Sequence, residues 1–191
     1  RLFDLGFSVL VFLFVLWWFI PLVALIIKLT SKGPVFFVQE RSGIKNKSFR
    51  VIKFRTMYIN SDAHYKQATR HDQRITPIGK LLRRSNLDEM PQFINVFFGQ
   101  MSVIGPRPHM LRHTEEYSKI IDKFMVRHLV KPGITGWAQV NGYRGETKDV
   151  MDMEGRVRAD VWYIENWSFG LDVKIIIMTI INMIRGEENA F

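Results

Sequence analysis
The chain has 191 residues, room for one domain with a sizeable core, and it begins with Arg1, so it is read as a fragment whose true start lies upstream. It contains no cysteine, which excludes disulfides and thiolate metal sites and suits a reducing, cytosol-facing setting. The net charge of +9 is uneven: residues 28–112 hold sixteen Lys and Arg against five Asp and Glu, whereas 113–191 hold ten against twelve, so the basic half calls for an anionic partner.

Residues 9–27, "VLVFLFVLWWFIPLVALII", carry no charge. As a helix, nineteen residues reach about 28 Å, close to the thickness of a bilayer core. Two Trp and the lack of a small-residue cleavage site argue against a cleaved signal peptide. Pro21 removes one backbone donor and its ring crowds the preceding turn, so a kink is expected. Arg1, Lys28 and Lys32 do not fix which side is cytosolic. Two geometries therefore stay open: a kinked spanning helix, and a re-entrant one with both ends on one face.

Next, "GPVFFVQERSGIKNKSFRVIKFR" reads as two strands around a Gly/Asn/Lys turn. In the second, residues 49–55, alternation puts Val51, Lys53 and Arg55 on one face. Residues 58–76 are polar and weakly periodic, so loop or short helix is expected. From Asp88, helical spacing of Met90, Phe93, Ile94, Phe97 and Phe98 predicts a helix capped by Asp88 and stopped by Gly99, with Pro91 tolerated in its first turn. Pro106 and Pro108 restrict the backbone around Arg107. Residues 117–129 repeat apolar side chains at i, i+3, i+4 and i+7, predicting an amphipathic helix. "GITGWAQVNGYRG" is glycine-dense, predicting a loop that approaches other backbone closely. "LDVKIIIMTIINMIR" predicts a final helix, in the core or at an interface.

Several patterns bear on chemistry. Asp88 and Glu89 are adjacent oxygen donors that can share Mg²⁺, although an Asp beside a helix start more commonly just caps it. Lys53, Arg55, Arg83, Arg84 and Arg107 would suit a phosphate or diphosphate, but Arg83 and Arg84 serve equally as salt-bridge partners and Lys53 as an edge-strand charge. His109, His113 and Glu116 hint at zinc, but no further strong ligand has the usual spacing. Trp137 and Tyr143 could stack on a base or cap the core. There is no Walker-type loop and no dinucleotide fingerprint.

Taken in order, "KFRTM", "LDEMPQFINVFFGQMSVIGPRP", "KPGITGWAQVNGYRGET" and "YIENWSFGLDVKII" resemble the bacterial sugar transferase family of monotopic polyprenyl-phosphate phosphoglycosyl transferases, over nearly the whole chain. That resemblance implies a mostly helical α+β fold: a re-entrant membrane helix over 1–30 broken at Pro21, then a catalytic domain over 31–191 with a small hairpin and interfacial amphipathic helices. It implies transfer of a sugar 1-phosphate from a UDP-sugar to undecaprenyl phosphate with release of UMP, Asp88 as nucleophile and Glu89 helping place Mg²⁺. Lys53, Arg55, Arg83 and Arg107 would line the phosphate site, and Gln139 and Asn141 would lie near nucleotide or sugar. The family's Ser-Pro pair is Ile20-Pro21 here, so a helix-bending hydroxyl is missing. "NGYRGET" is similar to members that transfer glucose 1-phosphate in exopolysaccharide synthesis. The implied setting is the cytoplasmic face of the bacterial inner membrane, with membrane but no nucleic acid as partner and a homodimer allowed. The rival reading is a membrane-tethered basic module that grips anionic lipid or nucleic acid and has no use for the acids.

Overall fold
In the computed structural model, residues 1–69, 72–145 and 149–185 are described. One helix, α1 (Leu2–Thr30), takes up the apolar segment, extending it at both ends. Pro21 has no N–H to offer the carbonyl four residues back, and just before it the helix widens into a π-helical stretch, Phe12–Leu16. The indole of Trp18 donates to the Phe14 carbonyl there at 3.0 Å. Only Leu16, Val23 and Ile27 of the central stretch are buried apolar residues; Leu13, Phe14, Trp17, Leu22 and Leu25 stay exposed.

Both ends of α1 are tied to the rest of the chain. Arg1 donates to the Val96 and Phe97 carbonyls at 2.7 and 2.6 Å, and buried Asp4 accepts from Ser102 Oγ and the Val103 N–H at 2.8 and 3.0 Å. At the far end, the Arg55 guanidinium donates to the Ser31 and Lys32 carbonyls. The helix thus lies along the domain rather than projecting from it.

Strands β1 (Phe36–Ser42) and β2 (Ser48–Phe54) form the expected antiparallel hairpin, with Phe37 opposite Lys53 and Gln39 opposite Val51. Helix α2 (Pro77–Arg84), not foreseen from the sequence, starts on a Thr76 cap that accepts from the Gly79 N–H at 3.0 Å. It packs tightly on the chain after β2, where a Cβ on Gly79 would lie 2.0 Å from the Thr56 carbonyl oxygen. A short 3₁₀ turn, Leu87–Glu89, precedes α3 (Gln92–Phe97).

Asp88 is therefore not the N-cap of the following helix, as the spacing had suggested. Asn86 takes a left-handed backbone conformation (φ 59°), the 3₁₀ turn follows, and the α-helix begins only past Pro91, whose ring cannot sit deeper in it. Two further readings need correcting. The stretch 117–129 is two pieces, α4 (Leu111–Tyr117) and a 3₁₀ turn, Phe124–Leu129, because Lys123 is left-handed (φ 59°). Its apolar residues Ile121 and Phe124 nonetheless reach one core with Met153, Val157 and Val161 of α6 (Val150–Glu165), a helix the sequence reading missed. The glycine-dense segment is also more regular than a loop: β4 (Gly133–Thr135) pairs in parallel with β3 (Ser102–Ile104), and α5 (Trp137–Val140) follows. Its glycines do bring backbone close, since a Cβ on Gly133 would sit 2.1 Å from the Gly105 nitrogen. The final helix, α7 (Phe169–Arg185), buries Ile175 in the core that also holds Leu16, Phe93 and Met101 and leaves Ile177, Ile180 and Ile184 exposed.

Candidate active site
A cavity of about 380 Å³ lies above the hairpin face that carries Gln39, Val51 and Lys53. Four elements bring charge to it. β2 supplies Lys53, α2 supplies Arg83, the 3₁₀ turn supplies Asp88 and Glu89, and the proline-flanked strand exit after β3 supplies Arg107. The helix that follows the turn, α3, is tied to β2 by a buried amide that the sequence reading overlooked. Asn95 accepts from the Ile52 N–H at 3.1 Å and donates to the Arg50 carbonyl at 2.7 Å.

Both oxygens of Glu89 are engaged. One oxygen accepts from Lys53 at 2.7 Å and from Arg107 at 2.6 Å, and the other from Arg107 at 3.1 Å. Burial would raise its pKa, but Arg107 and then Lys53 hold the carboxyl well below the usual glutamate range. A forked guanidinium on a carboxylate is among the strongest side-chain pairings. Asp88 is buried too, yet it accepts no hydrogen bond and has no cation within 4 Å among the described residues. Burial, and next the Glu89 charge, push its pKa up, against the opposing pull of Lys53, Arg83 and Arg144. Two adjacent acids thus differ sharply: Glu89 is a fixed counter-ion, and Asp88 an uncommitted carboxylate of raised basicity.

The basic residues divide as well. Arg83 donates through Nε to Thr56 Oγ1 at 2.8 Å and lines the cavity. Arg84 is exposed and does not line the cavity. Arg55 lines it, but its two terminal nitrogens are spent on Ser31 and Lys32, so it serves as a latch for the end of α1. Gln139 and Asn141 are not brought to the cavity: Gln139 donates to the Ile134 carbonyl at 2.9 Å and Asn141 to the Trp137 carbonyl at 2.8 Å. Trp137 stacks on Trp162 at 4.8 Å, and Tyr143 packs against Gly155, so neither offers its ring to the cavity. Glu146 and Thr147 lie outside the described residues.

His109 is occupied by Arg127, whose guanidinium approaches its ring nitrogen at 2.7 Å; burial first and that guanidinium second hold the imidazole neutral. Arg127 also donates to Asp160 at 2.6 Å and to the Arg107 carbonyl at 2.9 Å. A buried ion pair therefore fixes the backbone from which Arg107 reaches Glu89.

For a magnesium ion, the donor set fits a site completed by substrate. Asp88 has free oxygens at the cavity, and Mg²⁺ characteristically takes one or two carboxylates plus phosphate oxygens and waters. Glu89 could contribute its Oε2, which accepts a single hydrogen bond, from Arg107.

The model of the family described as bacterial sugar transferase matches residues 1–186. Over 178 residues the chain is 47% identical to the UDP-glucose:undecaprenyl-phosphate glucose-1-phosphate transferase of Xanthomonas campestris pv. campestris, covering 92% of this chain and 37% of that protein. The Escherichia coli K12 protein of the same name is 52% identical over 159 residues, covering 83% and 34%. A UDP-N-acetylgalactosamine-undecaprenyl-phosphate N-acetylgalactosaminephosphotransferase of Aeromonas hydrophila is 44% identical over 164 residues, covering 85% and 38%. The aligned part of this chain thus spans little more than a third of each of these three proteins.

Proposed function
The chain belongs to the bacterial sugar transferase family, and from that premise we propose that it moves a hexose 1-phosphate, glucose 1-phosphate by preference, from a UDP-sugar to undecaprenyl phosphate. The observation that carries this reading is the contrast between the two acids: a buried carboxylate with nothing bound to it, on a cavity edge shared with Lys53, Arg83 and Arg107.

An Asp88 oxygen attacks the sugar-bearing phosphorus, forming an acyl-phosphate P–O bond while the P–O bond to the nucleotide breaks and UMP leaves with that electron pair. An oxygen of the lipid phosphate then attacks the same phosphorus, the acyl-phosphate bond breaks, and Asp88 is regenerated as undecaprenyl-diphosphate-sugar departs. Repulsion between carboxylate and diphosphate is the main obstacle, and the fixed cations oppose it without reorganising. Mg²⁺, when bound, would neutralise phosphate charge and hold the phosphoryl oxygens. Arg107 and Lys53 are prevented from collapsing onto Asp88 because Glu89 already holds them. A binding module for anionic lipid has no use for such an arrangement.

The exposed apolar faces of α1 and α7 suit a re-entrant seat in the cytoplasmic leaflet, which the attachment of both ends of α1 to one domain supports. Relatives named for glucose and for N-acetylgalactosamine both align with this chain, so the sugar is tested directly. With undecaprenyl phosphate and Mg²⁺ supplied, a panel of UDP-sugars should release UMP fastest from UDP-glucose. Faster release from another sugar would reassign the donor, and release from none would remove the transferase reading.

A further inference from the structure
The cavity has two unlike ends. Phe37, Gln39 and Arg41 line it from alternate positions of β1, so roughly 14 Å of strand separates Phe37 from Arg41 at about 3.4 Å per residue. Beyond Phe37 the lining is Pro34 and Ile59, beside the Gly33 loop that leaves α1. Around Arg41 it is His109, His113 and Arg156. The apolar helix α1 adjoins the first end, and two guanidiniums, Arg41 and Arg156, mark the second.

Those guanidiniums have no carboxylate in direct contact among the described residues; the acids nearest in charge, Glu89 for Arg41 and Asp160 for Arg156, are paired with Lys53, Arg107 and Arg127. Arg156, from α6, is 5% exposed; it donates from Nη2 to the Gly145 carbonyl at 3.2 Å, and its buried Nε has no acceptor among the described residues. Arg41 donates to Gln39 Oε1 at 2.6 Å and to the Pro108 carbonyl at 3.4 Å. Neither has a carboxylate within 4 Å among the described residues, in contrast to Lys53, Arg107 and Arg127. Burial, and next the nearby Arg107, bring both guanidiniums down to about 10. A buried guanidinium without an anion is costly, and here the cost falls beside a cavity open to ligand.

We infer that Arg41 and Arg156 form a second phosphate pole, adjoining the Lys53–Glu89–Arg107 cluster on the side away from Phe37, which receives the nucleoside-side phosphate of the donor and holds it as the nucleoside monophosphate departs. The inference rests on the transferase reading and adds an orientation to it: nucleotide toward Arg41 and Arg156, sugar-side phosphate at Asp88, and lipid phosphate arriving from the Phe37 end. A polyprenyl phosphate could supply the same anion, but it would have to cross the site to reach this pole.

The test uses the full-length protein in lipid nanodiscs, with R41Q, R156Q and R156K, each checked by thermal melting. UMP affinity is read by calorimetry, and KM is measured separately for UDP-glucose and undecaprenyl phosphate. Each Gln variant should weaken UMP binding about tenfold or more, as loss of a charge-assisted hydrogen bond implies, and raise KM for the donor while leaving that for the lipid unchanged. R156K, which keeps the charge, should lose less. Unchanged UMP affinity in folded R41Q and R156Q overturns the pole while the transferase reading stands, as does a defect confined to undecaprenyl phosphate. Should R156Q not fold, R41Q on the hairpin decides alone. Failure of the wild-type protein to bind UMP overturns the transferase reading and the pole with it.

Discussion

Glu89→Gln isolates the role of the fixed counter-ion. The change keeps the shape of the side chain and one acceptor but removes the charge that holds Lys53 at 2.7 Å and Arg107 at 2.6 and 3.1 Å. Breaking a buried ion pair typically costs about 3–5 kcal/mol. Here the Lys53 and Arg107 side chains are 20% and 25% exposed and regain some water, so a loss of about 2–3 kcal/mol is expected. For a chain of this length that lowers the melting temperature by about 5–10 °C. Activity should fall more steeply, by about a hundredfold in kcat, because the two cations swing off the positions from which, in the proposed mechanism, they oppose charge on the phosphate. Melting is followed by circular dichroism and turnover by UMP release. A cycle with Lys53→Met should show a coupling of at least about 1 kcal/mol, as expected for residues in direct contact. Effects of the two substitutions that simply add, together with a wild-type melting temperature for Glu89→Gln, would refute the clamp.

The pair Arg127–Asp160 is deeper, with side chains 3% and 2% exposed, so Arg127→Met or Asp160→Asn alone should cost about 3–5 kcal/mol, measured by thermal melting. Arg127→Met combined with Asp160→Leu should recover part of that loss, because no orphaned charge remains. In the proposed mechanism Asp88 must be ionised to attack, and burial with Glu89 beside it raises its pKa; the acid limb of the UMP-release profile should therefore lie above the ordinary aspartate value. Because Lys53 pulls that pKa down, Lys53→Met should move the limb to higher pH, and Glu89→Gln should move it to lower pH.

How much of this was legible in the sequence depends on how local each signal is. The hairpin was readable within a residue at its second strand, because alternation in "FRVIKFR" and the turn residues act over short range. The apolar helix was equally plain, but its end-to-end attachment was not, since Asp4 and Arg55 meet partners 98 and 24 residues away. Asp88 looked like a helix cap because apolar spacing begins there; the positive φ of Asn86 and the rigidity of Pro91 decide otherwise. The difference between Asp88 and Glu89 could not be read from two adjacent letters, as it is made by Lys53 on a strand and Arg107 between prolines. Arg41 and Arg156 were passed over for a similar reason: nothing in their immediate neighbours marks them, and the cavity alone unites them. Gln139 and Asn141 stand in a motif whose Gly136 serves backbone packing against Gly105 and whose Gly142 serves a left-handed turn, and their own amides are spent on the Ile134 and Trp137 carbonyls.

The most direct measurement is intact-protein mass spectrometry after incubation with UDP-glucose and Mg²⁺ in the absence of lipid, with UMP quantified in the same sample. One hexose phosphate should be found on the protein, mapped to Asp88, released by undecaprenyl phosphate and absent in folded Asp88→Asn. UMP release that requires lipid, with no adduct on the protein at any time, would contradict a covalent relay through Asp88.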